Sequence, residues 1–189
     1  FLIVIQQASD YLFSINHAKP YSMIGFACGY LRKHYPLEYL TVVLNINENT
    51  KDKTSKIIDY ARNKRIEVKP IEFGKSKATY FFDKNENIIY RGCASIKYLN
   101  TAVSNELFEL GKKEYENFTD LLVDIEENTS ANTRQITILI KLNYFKKFGG
   151  NGKLLKIYEE FTKGKSRYDK KHKDATKTKR IEVLKQIDK

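Results

Sequence analysis

The sequence predicts a mainly α-helical fold that includes a small β-hairpin. Apolar residues recur at helical spacing in the first third of the chain and again after residue 95. Between these parts, two β-rich segments flank the turn-forming residues 83–86, which is the pattern of a hairpin. Because 41% of the 189 residues are apolar and 13% are aromatic, the chain has enough apolar side chains for a packed core.

Three helices are predicted in the first third of the chain. Residues 20–33 are apolar on nearly every side, which is typical of a helix that is buried on most sides. Pro20 suits a first helical position, and the basic residues 32–34 fall in the last turn, where positive charge is favourable. Two further helices are predicted over residues 36–45 and 52–65.

Short strands are predicted next, followed by more helices. Residues 66–70 alternate like a strand that ends at a proline, and the hairpin strands are residues 79–82 and 87–91. The second half is predicted to contain helices over about residues 95–110, 119–126, 132–143 and 153–161.

Two of these helices have predicted N-terminal caps. Thr119 is the predicted N-cap of the helix over residues 119–126. Asn132 and Gln135 have the spacing of a capping box, in which each side chain bonds the backbone of the other residue.

The net charge of +11 is concentrated near the C-terminal end. Residues 151–189 contain 13 Lys and Arg against 6 Asp and Glu. DNA, a polyanion, would gain affinity from such a surface through counterion release. A solvated, partly flexible tail is the alternative interpretation. Residues 163–180 are nearly devoid of apolar side chains and are predicted to form a linker before a last helix over residues 181–187.

Cysteine content and hydropathy indicate a soluble, cytoplasmic protein. Cys28 and Cys93 are far apart and lack metal-type spacing, so we expect no disulfide or zinc site and predict that both are buried. There is no apolar run of 18 residues and no signal-peptide pattern. Because the sequence begins with Phe1, we expect it to be part of a longer protein.

One stretch near the start carries a specific resemblance. Residues 11–21 read Tyr-Leu-Phe-Ser-Ile-Asn-His-Ala-Lys-Pro-Tyr, and residues 30–36 read Tyr-Leu-Arg-Lys-His-Tyr-Pro. This resembles the fingers signature of bacterial C-family replicative DNA polymerases, the family of the polymerase III alpha subunit. The family patterns are Y-G-F-N-K-S-H-A-x-A-Y and Y-L-K-x-H-Y-P.

Weaker motifs extend the resemblance from residue 8 to about residue 155. Residues 62–70 are similar to the family's R-x-x-G-I-x-V-L-P-P, and residues 89–97 are similar to I-R-x-G-L-x-A-I-K. Residues 118–122 resemble F-x-D-L-F, and residues 132–149 resemble N-x-R-x-L-E-x-L-I-x-x-G-A-F-D-x-F-G. These motifs occur in the family's order.

The resemblance implies nucleotide-binding roles for His17 and Tyr21. In the family, the fingers close over the incoming nucleotide, with a lysine and the histidine near the triphosphate and the tyrosine near the base pair. An imidazole can donate to a phosphate oxygen, and a phenol ring can stack on any base. Ile15 replaces the family's lysine, and Lys19 is a candidate to supply the missing charge.

The resemblance also implies a helix-hairpin-helix region, in degenerate form. In the family, a G-V-G turn lets backbone N–H groups approach a DNA phosphate. Here the turn reads Tyr98-Leu99-Asn100, and positive φ angles would cost energy for Tyr and Leu. We therefore predict that the hairpin retains its packing but loses part of its phosphate contact. The candidate DNA-binding residues are Lys97, Arg134 and Lys153.

By this resemblance, the chain is part of a DNA-directed DNA polymerase, a nucleotidyltransferase. The family's catalytic aspartates and their Mg²⁺ ions belong to a palm upstream of the fingers signature, so we assign no catalytic residue, metal ligand or cofactor here and expect the isolated chain to be inactive. The expected partners are primer-template DNA, a deoxynucleoside triphosphate and the remaining polymerase domains, with no membrane. The predicted division is residues 1–70 as part of the fingers, 71–150 as the divergent helix-hairpin-helix region, and 151–189 as a basic helical tail.

Two alternatives from other functional classes stay open. The chain could be a stand-alone, non-catalytic nucleic-acid-binding module, which an initiator codon just upstream would favour. It could instead be a helical scaffold for another replication protein, which would have negligible affinity for DNA even at low salt.

Overall fold

The computed structural model describes residues 2–4, 15–165, 182, 184 and 185. Its fold is mainly helical with one small sheet, as the sequence predicts. The first part contains α1 (Ile15–His34), α2 (Pro36–Ile46), α3 (Lys51–Asn63), β1 (Glu67–Lys69), β2 (Phe81–Asp83) and β3 (Ile88–Tyr90). After a 3₁₀ turn at Cys93–Ser95 come α4 (Thr101–Leu110), α5 (Phe118–Asn128), α6 (Thr133–Lys141), a 3₁₀ turn at Lys146–Phe148 and α7 (Asn151–Lys165).

The three strands form one sheet in the order β1-β3-β2. The predicted hairpin is confirmed, since β2 pairs antiparallel with β3 and places Phe82 opposite Ile89. The Asp83 carboxylate accepts the N–H groups of Asn85 and Glu86, at 2.9 and 3.3 Å, which closes the turn. The predicted strand before the hairpin is β1, which adds to β3 in parallel, with Val68 opposite Ile89.

A first core forms where α2 and α3 pack against this sheet. An amide bridge fixes α2 to the start of the hairpin: Asn45 donates to the Tyr80 carbonyl at 3.1 Å and accepts the Tyr80 N–H at 2.8 Å. The buried apolar residues of this core are Leu37, Leu40, Leu44, Ala61, Ile66, Tyr80 and Ile89.

A second, larger core lies among α4, α5, α6 and α7. Aromatic rings form its centre, with Phe73 in edge contact with Tyr144 at a centroid distance of 5.8 Å and Phe118 packed on Phe145 at 5.4 Å. An ion pair between Lys113 and Asp124, at 2.8 Å, joins the loop before α5 to that helix. Hydrogen bonds from Lys113 and then Tyr115 hold the pKa of the Asp124 carboxyl below its ordinary value.

The helix α1 differs from the sequence prediction in both start and burial. It begins at Ile15, so Pro20 lies inside the helix and not at its first position. Every residue of α1 is exposed, including Phe26 at 77%, where the sequence predicts burial. Cys28 is exposed for the same reason, whereas the prediction of a buried Cys93 is confirmed. A helix that is apolar on all sides requires partners, and the described residues do not cover it.

Among the described contacts, the end of α1 is the part of this helix that is anchored to the first core. The Arg32 side chain donates from Nε to the Tyr60 hydroxyl at 2.9 Å, and its guanidinium carbon lies 4.1 Å from the centre of the Tyr60 ring. Within the described ranges, no helix combines the length and the hydropathy that crossing a lipid bilayer requires.

Of three predicted helix starts in the second half, one agrees with the structure and two differ from it. The predicted capping box of Asn132 and Gln135 is confirmed. The N-cap of α5 is Asn117, which accepts the Asp120 N–H, and the predicted cap Thr119 is wrong because its side chain is buried inside the first turn. The helix predicted from about residue 95 begins only at Thr101, because a hairpin intervenes.

Some predictions concern parts of the chain outside the described residues. These are the beginning of the fingers-like motif, residues 11–14, and residues 166–180 of the predicted linker. Residues 163–165, also predicted as linker, belong to α7. Of the last predicted helix, the structure describes residues 182, 184 and 185, which are helical.

Positive φ angles occur at three positions where the family patterns have glycine. These residues are Arg65, Tyr98 and Asn143, with φ of 59°, 77° and 60°. The expected cost of a positive φ is therefore present at Tyr98, and Leu99 avoids it because its φ is not positive. The backbone keeps the left-handed conformation at all three positions although glycine has been replaced.

We predict that Arg65→Gly stabilises the chain. The change relieves about 1–2 kcal/mol of backbone strain in the folded state. It also gives the unfolded chain more conformational entropy, which opposes folding by about 0.4–1 kcal/mol. The free energy of unfolding should therefore rise by on the order of 0.5–1 kcal/mol. Arg65 is exposed, and its backbone hydrogen bonds survive the change: Asn87 donates to the Arg65 carbonyl at 3.0 Å, and the Arg65 N–H donates to the Arg62 carbonyl at 2.9 Å. Urea unfolding measures the effect.

Asn143→Gly is the matched variant, because asparagine tolerates the left-handed region better than arginine does. Its gain should be smaller than that of Arg65→Gly. A loss of stability in Arg65→Gly, or a larger gain in Asn143→Gly, would contradict the strain argument.

Candidate nucleic-acid interface

The candidate interface is centred on the hairpin between the Cys93–Ser95 turn and α4. The Leu99 N–H donates to the Ile96 carbonyl at 3.0 Å, which closes the reversal, and the Leu99 side chain is buried in the second core. Tyr98, at the tip, has the left-handed conformation that reverses the chain. The hairpin therefore retains its packing, as predicted.

The helix α4 begins immediately after the hairpin, with Asn100 as its N-cap. The Asn100 side chain accepts the Val103 N–H at 2.9 Å, and the Asn100 backbone carbonyl accepts the Ser104 hydroxyl at 2.7 Å. Since the first N–H groups of a helix have no acceptor within it, those of Thr101 and Ala102 lie at the hairpin end of α4. Donors of this kind attract anions.

Gln135 joins this hairpin to the start of α6. Its Nε2 donates to the Tyr98 carbonyl at 2.8 Å, while its Oε1 accepts the Asn132 N–H at 2.9 Å. Gln135 is only 5% exposed, and both hydrogen bonds are partly buried. The hairpin and the first turn of α6 are thereby held against each other.

Two of the three predicted DNA-binding residues meet at Tyr98. The Arg134 guanidinium carbon lies 3.5 Å from the centre of the Tyr98 ring, and the Lys97 ammonium lies 5.1 Å from the same centre. Cations at these distances are attracted to the face of an aromatic ring. Within the described part of the chain, neither cation has a carboxylate at ion-pair distance, so their charge is available to an external anion.

A shallow groove extends the basic surface beside Lys97. It has a volume of about 300 Å³ and is open to solvent. Arg91 lies in its wall and donates from Nε to the Ser95 hydroxyl at 3.2 Å. Arg91 was not among the residues singled out from sequence, although the I-R-x-G-L-x-A-I-K resemblance covers it. The groove is lined by Pro70, Ile71, Arg91, Ser95, Ile96, Lys97 and Leu142.

Lys153, the third predicted residue, lies at the other end of α6. The Asn151 side chain donates to the Lys141 carbonyl at 3.2 Å, while Tyr158 lies beside Thr133. The helices α6 and α7 are therefore antiparallel, and the first turn of α7 is near the last turn of α6. Because nine helical residues span about 12 Å, the structure separates Lys153 from the Arg134 end of α6.

The predicted nucleotide-binding residues lie on exposed α1, away from this hairpin in the sequence. His17 and Tyr21 are one turn apart, with ring centroids 4.6 Å from each other. Lys19 lies two residues from each, which is about 200° around a helix, so it projects from the opposite side. The structure thus brings His17 and Tyr21 together and separates Lys19 from them.

Two acidic residues on α5 form ion pairs and hydrogen bonds within the chain. Asp120 pairs with Lys185 at 2.8 Å, and Asp124 bonds Lys113 and the Tyr115 hydroxyl. Across residues 2–4, 15–165, 182, 184 and 185, no group of three or more His, Cys, Asp or Glu side chains is close enough to hold a metal ion.

The hairpin lies within a segment that matches a known motif family. The family model described as "Helix-hairpin-helix motif" matches residues 65–155. The DNA polymerase III alpha subunit of Campylobacter jejuni is 31% identical over 156 residues, which cover 80% of this chain. The corresponding subunits of Thermus aquaticus and Bacillus subtilis are 25% and 27% identical, over 82% and 78% of the chain. The chain is homologous to one segment of the bacterial DNA polymerase III alpha subunit.

The homologous segment is a small part of each relative. It spans about 13% of the length of the subunits from all three organisms. The resemblance inferred from the sequence motifs is confirmed, and the hairpin that contains Tyr98 lies inside the matched helix-hairpin-helix segment.

We predict that Gln135→Ala destabilises the chain by about 2 kcal/mol, because the Tyr98 carbonyl and the Asn132 N–H both lose a partly buried hydrogen bond. Thermal or urea unfolding measures the change. Thr137→Ala, on the same helix, is the control: it removes only a half-buried hydroxyl that donates to the Thr133 carbonyl at 2.8 Å, and it should shift stability by less than about 1 kcal/mol. Equal effects of the two changes would contradict the tethering role of Gln135.

Proposed function

We propose that this chain is a DNA-binding segment of a replicative DNA polymerase. The supporting observation is the convergence of Lys97 and Arg134 on Tyr98, at the tip of a hairpin in the segment that matches the helix-hairpin-helix family. The proposed ligand of this surface is primer-template DNA, contacted through its backbone phosphates. The remaining domains of the polymerase are the proposed protein partners.

Electrostatics supports this assignment. Each phosphate that a protein neutralises releases condensed counterions. For every such contact, the logarithm of the DNA affinity therefore falls by about 0.9 for each tenfold rise in salt concentration. Lys97, Arg134 and the nearby Arg91 place three cations on the surface around the hairpin. The N–H groups of Thr101 and Ala102 add fixed partial charge of the same sign. Lys153 is proposed to contact the backbone at a separate position.

The proposed division of the chain follows the motifs. Residues 1–70 form part of the fingers, residues 71–150 form the divergent helix-hairpin-helix region, and residues 151–189 form a basic tail. The exposed apolar surface of α1 is proposed to pack against the remaining polymerase domains. Nucleotidyl transfer itself is assigned to a palm elsewhere in the polymerase, where carboxylates would hold Mg²⁺.

The segment around His17 is proposed to contact the incoming deoxynucleoside triphosphate. His17 and Tyr21 lie on one side of α1 and can approach a single ligand together, the imidazole towards phosphate and the phenol towards the base. Lys19 projects from the other side, so its proposed contribution is positive charge at a distance and not a shared phosphate contact.

We predict that Lys97→Gln weakens binding of the 189-residue chain to a fluorescent primer-template duplex. Loss of one phosphate contact should raise Kd by about three- to tenfold and reduce the slope of log K against log salt by about 0.9. Fluorescence anisotropy between about 50 and 200 mM salt measures both quantities.

Lys112→Gln is the control for this experiment. Lys112 follows the C-terminal end of α4, about 15 Å from the hairpin, and pairs with Glu109. This variant should retain the affinity and salt slope of the unaltered chain. Negligible DNA affinity of the unaltered chain at low salt would reject the proposed function and favour a protein-binding scaffold.

The nucleotide-binding proposal is tested in the complete polymerase that contains this segment. His17→Ala and Tyr21→Ala should each raise the KM for nucleotide, by about tenfold for a lost charged or stacking contact. Lys19→Ala should have a smaller effect, because Lys19 faces away from the pair. Unchanged KM values in the His17 and Tyr21 variants would contradict the assignment.

A further inference from the structure

Tyr98 combines a strained backbone with an unusual set of neighbours. Its φ of 77° is one that glycine adopts readily, and the family pattern has glycine at this position. A substitution that costs backbone energy persists when the new side chain or its surroundings compensate. The structure shows what the side chain contacts: the guanidinium of Arg134 and the ammonium of Lys97.

The contact with Arg134 is a stacking arrangement. At 3.5 Å from the ring centre, the guanidinium carbon lies at van der Waals distance from the ring face. A stacked guanidinium uses its own flat face and leaves its N–H groups at the edge, where they can bind two oxygens of one phosphate. Stacking on Tyr98 therefore fixes Arg134 without occupying its hydrogen-bond donors.

Both members of this pair have fixed backbones. Tyr98 is held through its carbonyl by Gln135, and Arg134 lies between Asn132 and Gln135, the two residues of the capping box. The ring and the guanidinium thus meet because one amide side chain connects the hairpin to α6. A cation that is already ordered loses little conformational freedom when it binds a ligand.

We infer that Tyr98 is a positioning residue that holds Arg134 as a phosphate-binding group. In this chain the Arg134 side chain, assisted by Lys97, binds a DNA backbone phosphate at the hairpin. A glycine turn would bind the phosphate through its unobstructed backbone N–H groups. This inference rests on the proposed DNA binding and specifies how the hairpin achieves it.

A backbone phosphate fits this site better than an unpaired base does. Arg134 covers one face of the Tyr98 ring and Lys97 lies 5.1 Å from its centre, so two cations surround the ring and attract an anion more strongly than a neutral base. What the pair presents outward is positive charge with planar N–H donors, which matches a phosphodiester.

The test is a double-mutant cycle with the 189-residue chain and the fluorescent primer-template duplex. Arg134→Gln should raise Kd by about tenfold and lower the salt slope by about 0.9. Tyr98→Gly, which removes the ring and relieves the backbone, should weaken binding to a similar extent. In the Tyr98→Gly chain, Arg134→Gln should then have less than about a twofold further effect, because the two residues act as one unit.

Tyr98→Phe is the conservative control. It keeps the aromatic face, so affinity and salt slope should match those of the unaltered chain. Side-chain NMR gives a readout that a merely structural role would not move. The Arg134 signals should show ring-current shifts in the unaltered and Tyr98→Phe chains, lose them in Tyr98→Gly, and change when DNA is added.

Several results would overturn the inference. Tighter binding by Tyr98→Gly would mean that exposed N–H groups grip phosphate better than the stacked arginine does. Additive effects of Tyr98→Gly and Arg134→Gln would show that Tyr98 does not act through Arg134. In both cases weakening by Lys97→Gln would still support DNA binding. Absence of binding by the unaltered chain would reject the inference together with the proposed function.

Discussion

The structure around the hairpin depends on one buried amide. Gln135 satisfies the Tyr98 carbonyl and the Asn132 N–H with a single side chain, at 2.8 and 2.9 Å. Without it, two partly buried backbone hydrogen bonds would be lost together, which is costly enough to make this contact hard to replace. Through this amide, Tyr98 meets Arg134, a residue 36 positions away in the sequence.

Glycine in the family patterns meets two different physical requirements, a positive φ angle at some positions and a lack of space for a side chain at others. Arg65 and Asn143 replace glycine where only a positive φ is required, and both side chains are exposed, so the cost is limited to backbone strain. Gly92 is retained where space is required: a Cβ there would lie 2.5 Å from the Ala78 carbonyl oxygen. A side chain can tolerate strain of about 1–2 kcal/mol, but it cannot overlap with backbone.

Sequence reasoning succeeded for several local signals, although it assigned the N-cap of α5 to Thr119 and not to Asn117. The turn at Asp83 and the capping box at Asn132 depend on neighbours within three residues, and both were predicted. The predicted burial of α1 is wrong for the described residues. Hydrophobicity indicates that a helix needs a packing partner, but it does not indicate which part of the protein provides that partner. The parallel pairing of β1 with β3 and the stacking of Arg134 on Tyr98 join distant segments, and no local pattern encodes them.

The two exposed surfaces of the chain differ in what they can contribute to an assembly. The hairpin surface is charged and held by buried contacts, so its geometry is largely set before any ligand arrives. The helix α1 buries no residue, and the two cores that stabilise the chain do not include it. Its apolar side chains can lower the free energy only by leaving water, at about 25 cal/mol for each Å² covered. If α1 packs on the remaining polymerase domains as proposed, the orientation of His17 and Tyr21 is set by that assembly, whereas the orientation of Arg134 is set within this chain.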